Sequence, residues 1–477
     1  MYELTVLLEE NGKEPLYEQI YRHIREEIRQ GKIEAGKKLP STRRLAGHLG
    51  VSRSTTQLAY DQLIAEGYLT AVPCKGYFAA GVDSLYEIRS EEKKVIKPPE
   101  TEDNCRYDFS ARGIDADGFP ANRWKKLARE VLSEVDGDLF AHGDSQGERG
   151  LREAIRDYVY SARGVNCRTE QILVGAGSEY LLMLLDQIIG GDTVIAMENP
   201  TYMQAYRVFK GLGNQVIPVP MDEQGMDMEK LRASEASLAY VMPSHQFPTG
   251  RIMPQKRRME LIAWAAAKDG RYIIEDDYDS EFRYRGKPIP SLQGYDHGEH
   301  VIYLGTFSRS IAPGIRVSFL ILPEPLLVRY NERCRFYATT VSRIDQEILA
   351  RFIRSGYYER HLNRMKGVYR AKHDLLLELL RPFQGRFRIR GEHAGIHILL
   401  EERSLPSGAA EGRTQTVRER ELQLMAEAEQ AGVRVYGSSR YYLEGEAKSA
   451  TILLGFARMS TEEIREAVKR LGEAWGI

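Results

Sequence analysis

From Tyr107 onward, apolar strand-like runs alternate with helical patterns, and this alternation restricts the fold more than any other feature of the 477-residue chain. The candidate strands are Ile172–Val174, Thr193–Met197, Leu238–Met242, Tyr272–Glu275, Val301–Leu304 and Val317–Leu322. Helical patterns lie between them, for example at Ser178–Ile189 and Pro254–Lys268. Strands joined through helices pair in parallel, because the chain must cross back over the sheet between them. We therefore predict that residues 107–477 form an α/β fold, a mostly parallel sheet covered on both faces.

Short polar motifs follow several of these strands, where parallel sheets bind their ligands. LVGAGSEY places Gly177 and Ser178 at a strand-to-helix junction, where free backbone N–H groups and the helix dipole favour an anion such as phosphate. MENPTY presents Tyr202, whose ring can stack on a flat ligand. IIEDDYDSEF ends a strand with Asp276 and Tyr278, which point the same way because strand side chains alternate. A buried carboxylate without a metal can pair with a cationic ring nitrogen, and a phenol can bond a ring oxygen.

A fourth motif, LGTFSRSIAPGIRVSF, contributes two hydroxyls and two guanidiniums, from Thr306, Ser308, Arg309 and Arg316. Arg316 is suited to clamp a phosphate through two parallel hydrogen bonds. Each of the four motifs alone has an ordinary structural explanation. Their common order, each directly after a strand, makes a chance association improbable and indicates one anion-binding site for a flat molecule.

The N-terminal part of the chain differs in charge from the rest. The net charge of the whole chain is −1, which taken alone argues against a nucleic-acid binder. Residues 22–53 nevertheless contain nine basic and three acidic side chains, a net charge of +6, so the remainder carries −7. A solvated helical face would also produce such a segment, and the surrounding pattern decides between the two.

Residues 15–80 have the pattern of three helices followed by two short strands. The first helix opens at Pro15 with isoleucines on one face, the second is capped by Ser41, and the third is capped by Ser52. In the third helix we expect Leu58, Leu63 and Ile64 to face inward. Two helices joined by a short glycine turn form a helix-turn-helix, and the strands around Lys75–Gly76 form a wing.

The N-terminal end of a recognition helix enters the major groove of DNA, and the flanking basic residues contact phosphates. The predicted DNA-binding residues are Arg43, Arg44, Ser52, Arg53, Ser54, Thr55, Gln57, Lys75 and Gly76. The alternative is a small helical domain that only docks onto the rest of the chain. We therefore divide the sequence into a winged helix-turn-helix domain at 1–81, a charged linker with a Pro-Pro pair at 82–106, and an effector domain at 107–477 with a small C-terminal subdomain at about 345–477.

Both parts resemble known families. PLYEQI, GKIEAGKKLPSTRRLA, LGVSRSTTQLAYDQLIAEGYL and KGYFAA are similar to the winged helix of GntR-family transcription regulators. The strand-end motifs, with PSHQFPTG at 243–250, resemble class I aminotransferases, which are fold-type I pyridoxal-phosphate enzymes. Together they resemble MocR-type regulators, the group that includes a GABA-responsive regulator.

The resemblance implies a double-stranded DNA operator, a small amino-compound effector and a head-to-tail homodimer. It also implies that Asp276 holds the proton on the pyridine nitrogen of the cofactor, that Tyr278 binds the 3-oxygen of the cofactor, and that Tyr202 stacks on its ring. The implied phosphate cradle consists of Gly177, Ser178, Thr306, Ser308 and Arg316.

Arg309 departs from the pattern of the family, in which a lysine at this position forms the internal aldimine with the cofactor. Arginine stays protonated at working pH, so it provides neither a nucleophilic amine nor a proton shuttle. Either the natural protein has lost covalent cofactor binding, or the chain is an altered version of a lysine-bearing parent; the intact Asp276, Tyr278 and Arg316 favour the second. With arginine at position 309, pyridoxal phosphate is expected to bind noncovalently, or its binding is vestigial. With lysine at position 309, it would bind covalently. Lys287 belongs to another segment and is no evident substitute.

Two arginines are candidates to anchor an effector carboxylate, Arg207 and Arg440, with Arg434 and Arg458 as rivals. The preferred function is a DNA-binding regulator without enzymatic activity. The alternatives are a pyridoxal-phosphate-dependent aminotransferase with an accessory DNA-binding domain, and an inert dimeric scaffold on DNA. The four cysteines are isolated in sequence and no apolar run reaches about 20 residues, so we expect no metal site, no membrane segment and a cytoplasmic location.

Overall fold

The computed structural model describes residues 6, 8–9, 14–81, 105–134, 137–191, 193–284, 289–296, 299–403, 416–445 and 447–477. Contacts between residues divide the chain into two compact units, Met1–Thr101 and Glu102–Ile477. Most of the predicted linker, residues 82–104, lies outside the described residues, and so does Lys287. None of the helices in the described ranges is long and apolar enough to cross a membrane.

The first unit is a winged helix-turn-helix. Its elements are α1 (Leu16–Arg29), α2 (Thr42–Leu49), α3 (Arg53–Ala65), β1 (Leu69–Val72) and β2 (Gly76–Ala79), and the two strands form an antiparallel hairpin. The Ser41 hydroxyl accepts from the backbone N–H of Arg44 at 3.2 Å, and the Ser52 hydroxyl accepts from that of Thr55 at 3.1 Å. These bonds satisfy N–H groups that a helix start leaves unpaired. Gly50 ends α2 in the left-handed conformation that glycine adopts most readily.

The core of this unit is built from one face of each helix. Ile20, Ile24 and Ile28 of α1 are buried, and they pack in one cluster with Leu63 of α3. The expectation that Leu58 faces inward is wrong, because 55% of its surface is exposed. Leu58 lies five residues before Leu63 on a helix with 3.6 residues per turn, so the two side chains project in different directions.

The second unit begins with β3 (Tyr107–Asp108) and contains one large sheet with helices around it. Its first half consists of α4 (Ala121–Ser133), α5 (Arg149–Arg163), β4 (Ile172–Gly175), α6 (Ser178–Ile189), β5 (Val194–Asn199), α7 (Met203–Gly211), β6 (Gln215–Asp222), β7 (Gly225–Met226), α8 (Met228–Ala233), β8 (Leu238–Val241), α9 (Gln255–Ala266), β9 (Tyr272–Asp277), β10 (Val301–Thr306) and β11 (Ser318–Ile321). The sheet has the strand order β4-β11-β10-β9-β8-β5-β6-β7.

The predicted mostly parallel sheet is confirmed. Strands β10, β9, β8, β5 and β6 pair in parallel, and all six predicted strands are present with bounds that shift by one or two residues. Two members are antiparallel: β11, which is one of the predicted strands, and β7, which was not predicted. The short link between β10 and β11 holds no crossover helix, and a parallel connection needs one. Helices cover both faces of the sheet through separate apolar clusters.

The C-terminal part adds a second, smaller sheet. Its elements are α10 (Glu324–Arg333), α11 (Arg343–Arg354), α12 (Tyr357–Leu379), β12 (Phe387–Arg390), β13 (His397–Glu402), α13 (Val417–Gln430), β14 (Val433–Arg434), β15 (Tyr436–Gly437), β16 (Thr451–Gly455) and α14 (Thr461–Trp475). Strands β12, β13, β16 and β15 form a four-stranded sheet whose core is separate from that of the large sheet. The segment after β15 reaches back to the large sheet, because the Thr201 N–H bonds the Tyr441 carbonyl at 3.0 Å.

Candidate functional site

A cavity of about 460 Å³ opens at the carboxyl ends of the parallel strands, within the size range of small-molecule sites. It is lined by residues from both sheets. The lining residues are Ser110, Ala111, Arg112, Ser178, Glu179, Tyr202, Met203, Gln204, Met242, Phe247, Asp276, Tyr278, Thr306, Ser308, Arg309, Pro313, Arg316, Tyr436, Arg440 and Tyr441. The four strand-end motifs of the sequence therefore meet in one place.

One end of the cavity combines a helix start with an arginine. Ser178 begins α6, and Gly177 precedes it with φ of +99°, a conformation that side chains rarely permit. A Cβ atom at Gly177 would lie 2.4 Å from Nη2 of Arg316, so a side chain here would be strained by the backbone conformation and would displace the guanidinium. Arg316 has φ of +53°, the left-handed region, and its Nη2 pairs with Oε2 of Glu179 at 3.0 Å. Free helix-start N–H groups beside a guanidinium favour an anion.

Hydroxyl groups border the same end. The Thr306 hydroxyl oxygen lies 2.9 Å from that of Ser318 and accepts from the backbone N–H of Ser308 at 3.2 Å. These bonds hold the turn after β10 in a fixed shape. Ser308 and Thr306 thus line the cavity on a rigid support, next to Arg316.

Asp276 is the buried acid of the cavity. It lies on β9 between Glu275 and Asp277, and strand alternation sends its side chain to the opposite face from theirs. The hydroxyl of Tyr240 donates to its Oδ2. Burial raises the pKa of Asp276 to about 7, because desolvation disfavours the charged carboxylate more than the Tyr240 hydrogen bond favours it. A cationic group in the cavity would reverse this and hold the acid ionised.

The neighbouring carboxylates serve the scaffold. Glu275 accepts the backbone N–H groups of Leu292 at 2.8 Å and Gln293 at 2.9 Å. Asp277 pairs with Nε of Arg163 at 2.7 Å in a fully buried ion pair, and this positive charge lowers the pKa of Asp277 despite its burial. Among these three consecutive acids, the cavity lining includes Asp276 alone.

Tyr278 is linked to a buried histidine, His245, that was not predicted as a site residue from the sequence. Its hydroxyl lies 3.1 Å from Nδ1 of His245, and the same nitrogen lies 2.8 Å from Oδ2 of Asp279. An Nδ1–H directed at Asp279 can also reach the Tyr278 oxygen, which leaves the phenol proton free to be donated into the cavity. Burial raises the pKa of Tyr278 well above its usual value, so the phenol stays protonated.

An aromatic wall faces this group. The rings of Tyr202 and Phe247 meet edge to face with centres 6.0 Å apart, and Phe247 meets Tyr278 in the same way at 6.4 Å. Tyr441 extends the wall, because its ring centre lies 5.0 Å from that of Phe247. The wall offers apolar faces for a flat ligand.

Arg309 projects into the cavity from the segment after β10. One of its Nη1–H groups donates to the carbonyl oxygen of Ala111, a residue that also lines the cavity. The side chain is half-buried, and it forms no ion pair with a carboxylate among the residues that the structure describes.

The structure separates the candidate effector arginines. Arg440 lines the cavity, with its Cζ atom 5.7 Å from the ring centre of Tyr441. Arg207 is exposed on α7 and does not reach the cavity, whereas Met203 and Gln204 one turn earlier do. Of the rivals, Arg434 pairs with Glu429 at 3.9 Å and Arg458 with Asp108 at 3.7 Å, and both lie outside the lining.

Five of the lining residues were not predicted from the sequence: Arg112, Glu179, Phe247, Tyr436 and Tyr441. They come from four separate segments that only the folded chain brings together. Glu179 and Phe247 lie within the LVGAGSEY and PSHQFPTG motifs, so their proximity to the site could have been inferred. Among the described residues, no group of three or more potential ligands is arranged to hold a metal ion.

The predicted DNA-binding residues lie along the start of α3 and on neighbouring segments. Arg43, Arg44, Ser52, Arg53 and Ser54 are exposed, and the hydroxyls of Ser52 and Ser54 lie 2.7 Å apart. Thr55 and Gln57 are partly buried, and the Gln57 amide donates to Asp61 at 2.7 Å. Lys75 is exposed at the hairpin tip beside Gly76, which has φ of +110°. The exposed basic side chains and the helix start are thus on the surface of one small unit.

Comparisons with known proteins match both units. Residues 16–78 match the family described as bacterial regulatory proteins, gntR family, and residues 114–471 match aminotransferase class I and II. The uncharacterized HTH-type transcriptional regulator YdeL of Bacillus subtilis (strain 168) is 39% identical over 477 residues, covering 100% of both chains. The probable rhizopine catabolism regulatory protein MocR of Rhizobium meliloti is 28% identical and covers 98% of this chain and 96% of its own. An archaeal alanine:glyoxylate aminotransferase structure superposes with a TM-score of 0.67 at 25% identity, over 78% of this chain and 90% of the other.

Proposed function

This chain belongs to the GntR-type bacterial transcription regulators that carry an aminotransferase class I and II domain, and from this membership we propose that its winged helix binds an operator while its cavity senses a pyridoxal-phosphate-type ligand. The observation that carries the proposal is the presence, in one chain, of an exposed recognition helix and a cavity that combines Asp276 with Arg316.

The residues of the cavity fit pyridoxal phosphate. The glycine at 177 leaves space that a Cβ would fill, beside a guanidinium and a helix start suited to a phosphate. At the other end, the buried carboxyl of Asp276, with a pKa of about 7, forms no ion pair among the described residues, and a protonated pyridine nitrogen would supply a cationic partner. Bound pyridoxal phosphate would contribute an aldehyde that reacts with amines, which is the chemistry an amino-compound sensor needs.

Each site residue then has one task. Ser178, Thr306, Ser308 and Arg316 of the lining hold the phosphate together with Gly177 beside them, Tyr202 covers the ring, Asp276 keeps the ring nitrogen protonated and Tyr278 donates to the ring oxygen. The His245–Asp279 pair orients the Tyr278 hydroxyl from behind.

Arg309 makes the proposed binding noncovalent. Its guanidinium occupies the place at which the family's lysine attaches the cofactor, and it has no free amine. We therefore propose that the cavity senses its ligand without transamination, and that covalent attachment would return in Arg309→Lys. The effector carboxylate is assigned to Arg440, whereas Arg207, the other arginine proposed from the sequence, lies outside the cavity.

The proposed assembly is a homodimer, head to tail as the family resemblance implies. In support, large aromatic side chains are exposed around one groove of the second unit: Phe336 is 76% exposed and Tyr337 41%. A monomer rarely leaves a cluster of such rings in water.

On the proposed operator, Arg53, Ser54, Thr55 and Gln57 approach base edges in the major groove. Arg43, Arg44, Lys75 and the N–H groups near Ser52 and Gly76 contact phosphates. Footprinting against the DNA that flanks the chain's own gene tests this. We expect a protected site whose occupancy changes with pyridoxal phosphate and an amine; absence of a specific footprint at low salt would contradict the function.

A further inference from the structure

Leu58 lies on the outer face of α3, contrary to the expectation from the sequence, and 55% of its surface is exposed. Within the described residues of the first unit, Leu58 and Tyr17 are the two large hydrophobic side chains that are more than one third exposed, and Leu58 is the more exposed of the two. Single exposed leucines are common on protein surfaces. The position of Leu58 on the helix therefore decides whether it has a role.

The exposed side chains of α3 follow the spacing of one helix face. Ser54, Leu58 and Asp61 are exposed, and the partly buried Gln57 lies between them. Side chains spaced in this way lie on the same side of a helix with 3.6 residues per turn. The buried residues of α3 are Thr56, Ala59, Tyr60 and Leu63. Leu58 is therefore near the middle of the face that α3 turns away from its own core.

This face is the one that would enter a major groove. It begins at the helix start, where Arg53 and Ser54 are exposed, and Leu58 lies about 6 Å further along the helix axis. The base-contacting residues of recognition helices occur at this i, i+3, i+4, i+7 spacing. The guanidiniums of Arg43, Arg44 and Arg53 are exposed on the same small unit, and their charge favours nucleic acid over an apolar protein surface as the partner.

The polar neighbours of Leu58 are bonded to other side chains. The Gln57 amide donates to Oδ1 of Asp61 at 2.7 Å, and the Ser54 hydroxyl lies 2.7 Å from that of Ser52. Leu58 has no donor or acceptor on its side chain, so it can bind only an apolar feature of a base edge. In the major groove, that feature is the C5-methyl group of thymine.

We propose that Leu58 is a specificity-determining residue, which selects a thymine of the operator through contact with its C5-methyl group. This rests on the proposed function, because α3 must enter the major groove of an operator. Burial of one methyl group is expected to tighten binding about fourfold. Leu58 thereby adds an apolar contact to the polar contacts assigned to Arg53, Ser54, Thr55 and Gln57.

Replacement of thymine by deoxyuridine tests this contact, because uracil lacks the C5-methyl group and keeps the hydrogen-bonding groups of thymine. The probes are two duplexes of the footprinted sequence that flanks the chain's own gene, one with thymine and one with deoxyuridine throughout. Fluorescence anisotropy on the full-length protein measures the ratio of the two affinities. We expect the parent to prefer the thymine duplex about fourfold or more, and Leu58→Ala to reduce this ratio about threefold or more. Single deoxyuridine substitutions then identify the thymine that Leu58 contacts.

Two further variants serve as controls. Methionine is apolar and similar in volume to leucine, so Leu58→Met should keep most of the ratio. Leu132 is 53% exposed on α4 of the second unit, outside the proposed DNA-binding surface, so Leu132→Ala should leave the ratio unchanged. Circular dichroism checks the fold of each variant, and truncation of an exposed leucine is expected to preserve it.

The outcomes separate the two proposals. A specific footprint together with an unchanged ratio in Leu58→Ala would overturn the thymine contact and leave the operator function standing. Equal losses of affinity on both duplexes would have the same meaning. A change of oligomeric state in size-exclusion chromatography, with the ratio intact, would assign Leu58 to a protein contact instead. Absence of any specific footprint would contradict the proposed function, and the thymine contact with it.

Discussion

The two functional regions of this chain are built in opposite ways. The proposed DNA-binding surface lies within one short stretch of the chain, residues 43–76, and is centred on Ser52, Arg53 and Ser54, which are exposed at the start of α3. The cavity draws its lining from both sheets and from loops spread over residues 110–441. A surface made by one helix depends on caps and exposure, whereas a cavity made by many segments depends on how the whole unit packs. Substitutions should therefore behave differently in the two regions.

The largest contrast is expected within α3. Leu63 is fully buried and Leu58 is 55% exposed. Leu63→Ala should lower the free energy of unfolding of the winged-helix unit by about 2–5 kcal/mol, through lost burial and a cavity. Leu58→Ala should change it by less than about 0.5 kcal/mol. Denaturant unfolding followed by helical circular dichroism measures both changes. Similar losses of stability for the two leucines would contradict the burial of Leu63 and the exposure of Leu58 on α3.

In the second unit, the sharpest effect is expected at Asp276. Asp276→Asn keeps the shape but removes the negative charge beside the proposed ring nitrogen, which should weaken pyridoxal phosphate binding by about 1.5–3 kcal/mol. The pKa of about 7 of the buried Asp276 carboxyl adds a pH dependence to this binding. Binding requires the carboxylate, so affinity should rise as the pH increases toward about 7 and then level off.

The same titration in Asp276→Asn should lack this rise. Calorimetry at several pH values measures it, and Asp222→Asn is a suitable control because Asp222 pairs with Arg257 at 2.7 Å outside the cavity lining. If Asp276→Asn kept the pH dependence of the parent, that dependence would have to come from another group.

In the winged helix, substitutions of base-reading residues and of phosphate-binding residues are expected to have different effects on DNA binding. Arg53→Ala should cost about 1–3 kcal/mol on the operator and reduce discrimination against other sequences. Arg43→Ala should weaken all duplexes to a similar extent and reduce the salt slope by about one charge. Fluorescence anisotropy at several salt concentrations resolves the two; equal losses of discrimination would contradict the assigned roles.

The smallest effect on ligand affinity is expected from substitution of Arg207, which was predicted from the sequence to bind the effector but lies outside the cavity lining. Arg207→Gln should leave ligand affinity unchanged within about 0.5 kcal/mol, because the side chain is exposed away from the cavity. Arg440→Gln should cost about 1 kcal/mol or more with a carboxylate ligand. If Arg207→Gln weakened binding more than Arg440→Gln, the effector carboxylate would have to be assigned to Arg207.

The sequence predicts local features well, since they depend on neighbouring residues. The caps at Ser41 and Ser52 and the helix at Ser178–Ile189 follow from such patterns and are confirmed. Strand alternation also placed Asp276 and Tyr278 on one face, and both line the cavity.

Contacts between distant segments could not be predicted in this way. His245 and Asp279 meet only after β8 and β9 have paired, and Tyr441 reaches the cavity from the C-terminal part of the chain. The position of Arg207 relative to the cavity also depends on such contacts. On α7, Met203 and Gln204 line the cavity whereas Arg207, one turn later, is exposed and does not, and the sequence does not show where the cavity wall ends.

The central claim is that Arg309 leaves the cavity competent for a pyridoxal ligand but incapable of attaching it. Its most direct test is incubation of the chain and of Arg309→Lys with pyridoxal phosphate, followed by borohydride reduction, peptide mapping and visible spectra. The account predicts a spectral band and a phosphopyridoxyl label at residue 309 in the lysine variant only, with reversible binding in the parent. A site-specific label on another lysine of the parent, or the absence of any label in Arg309→Lys, would contradict it.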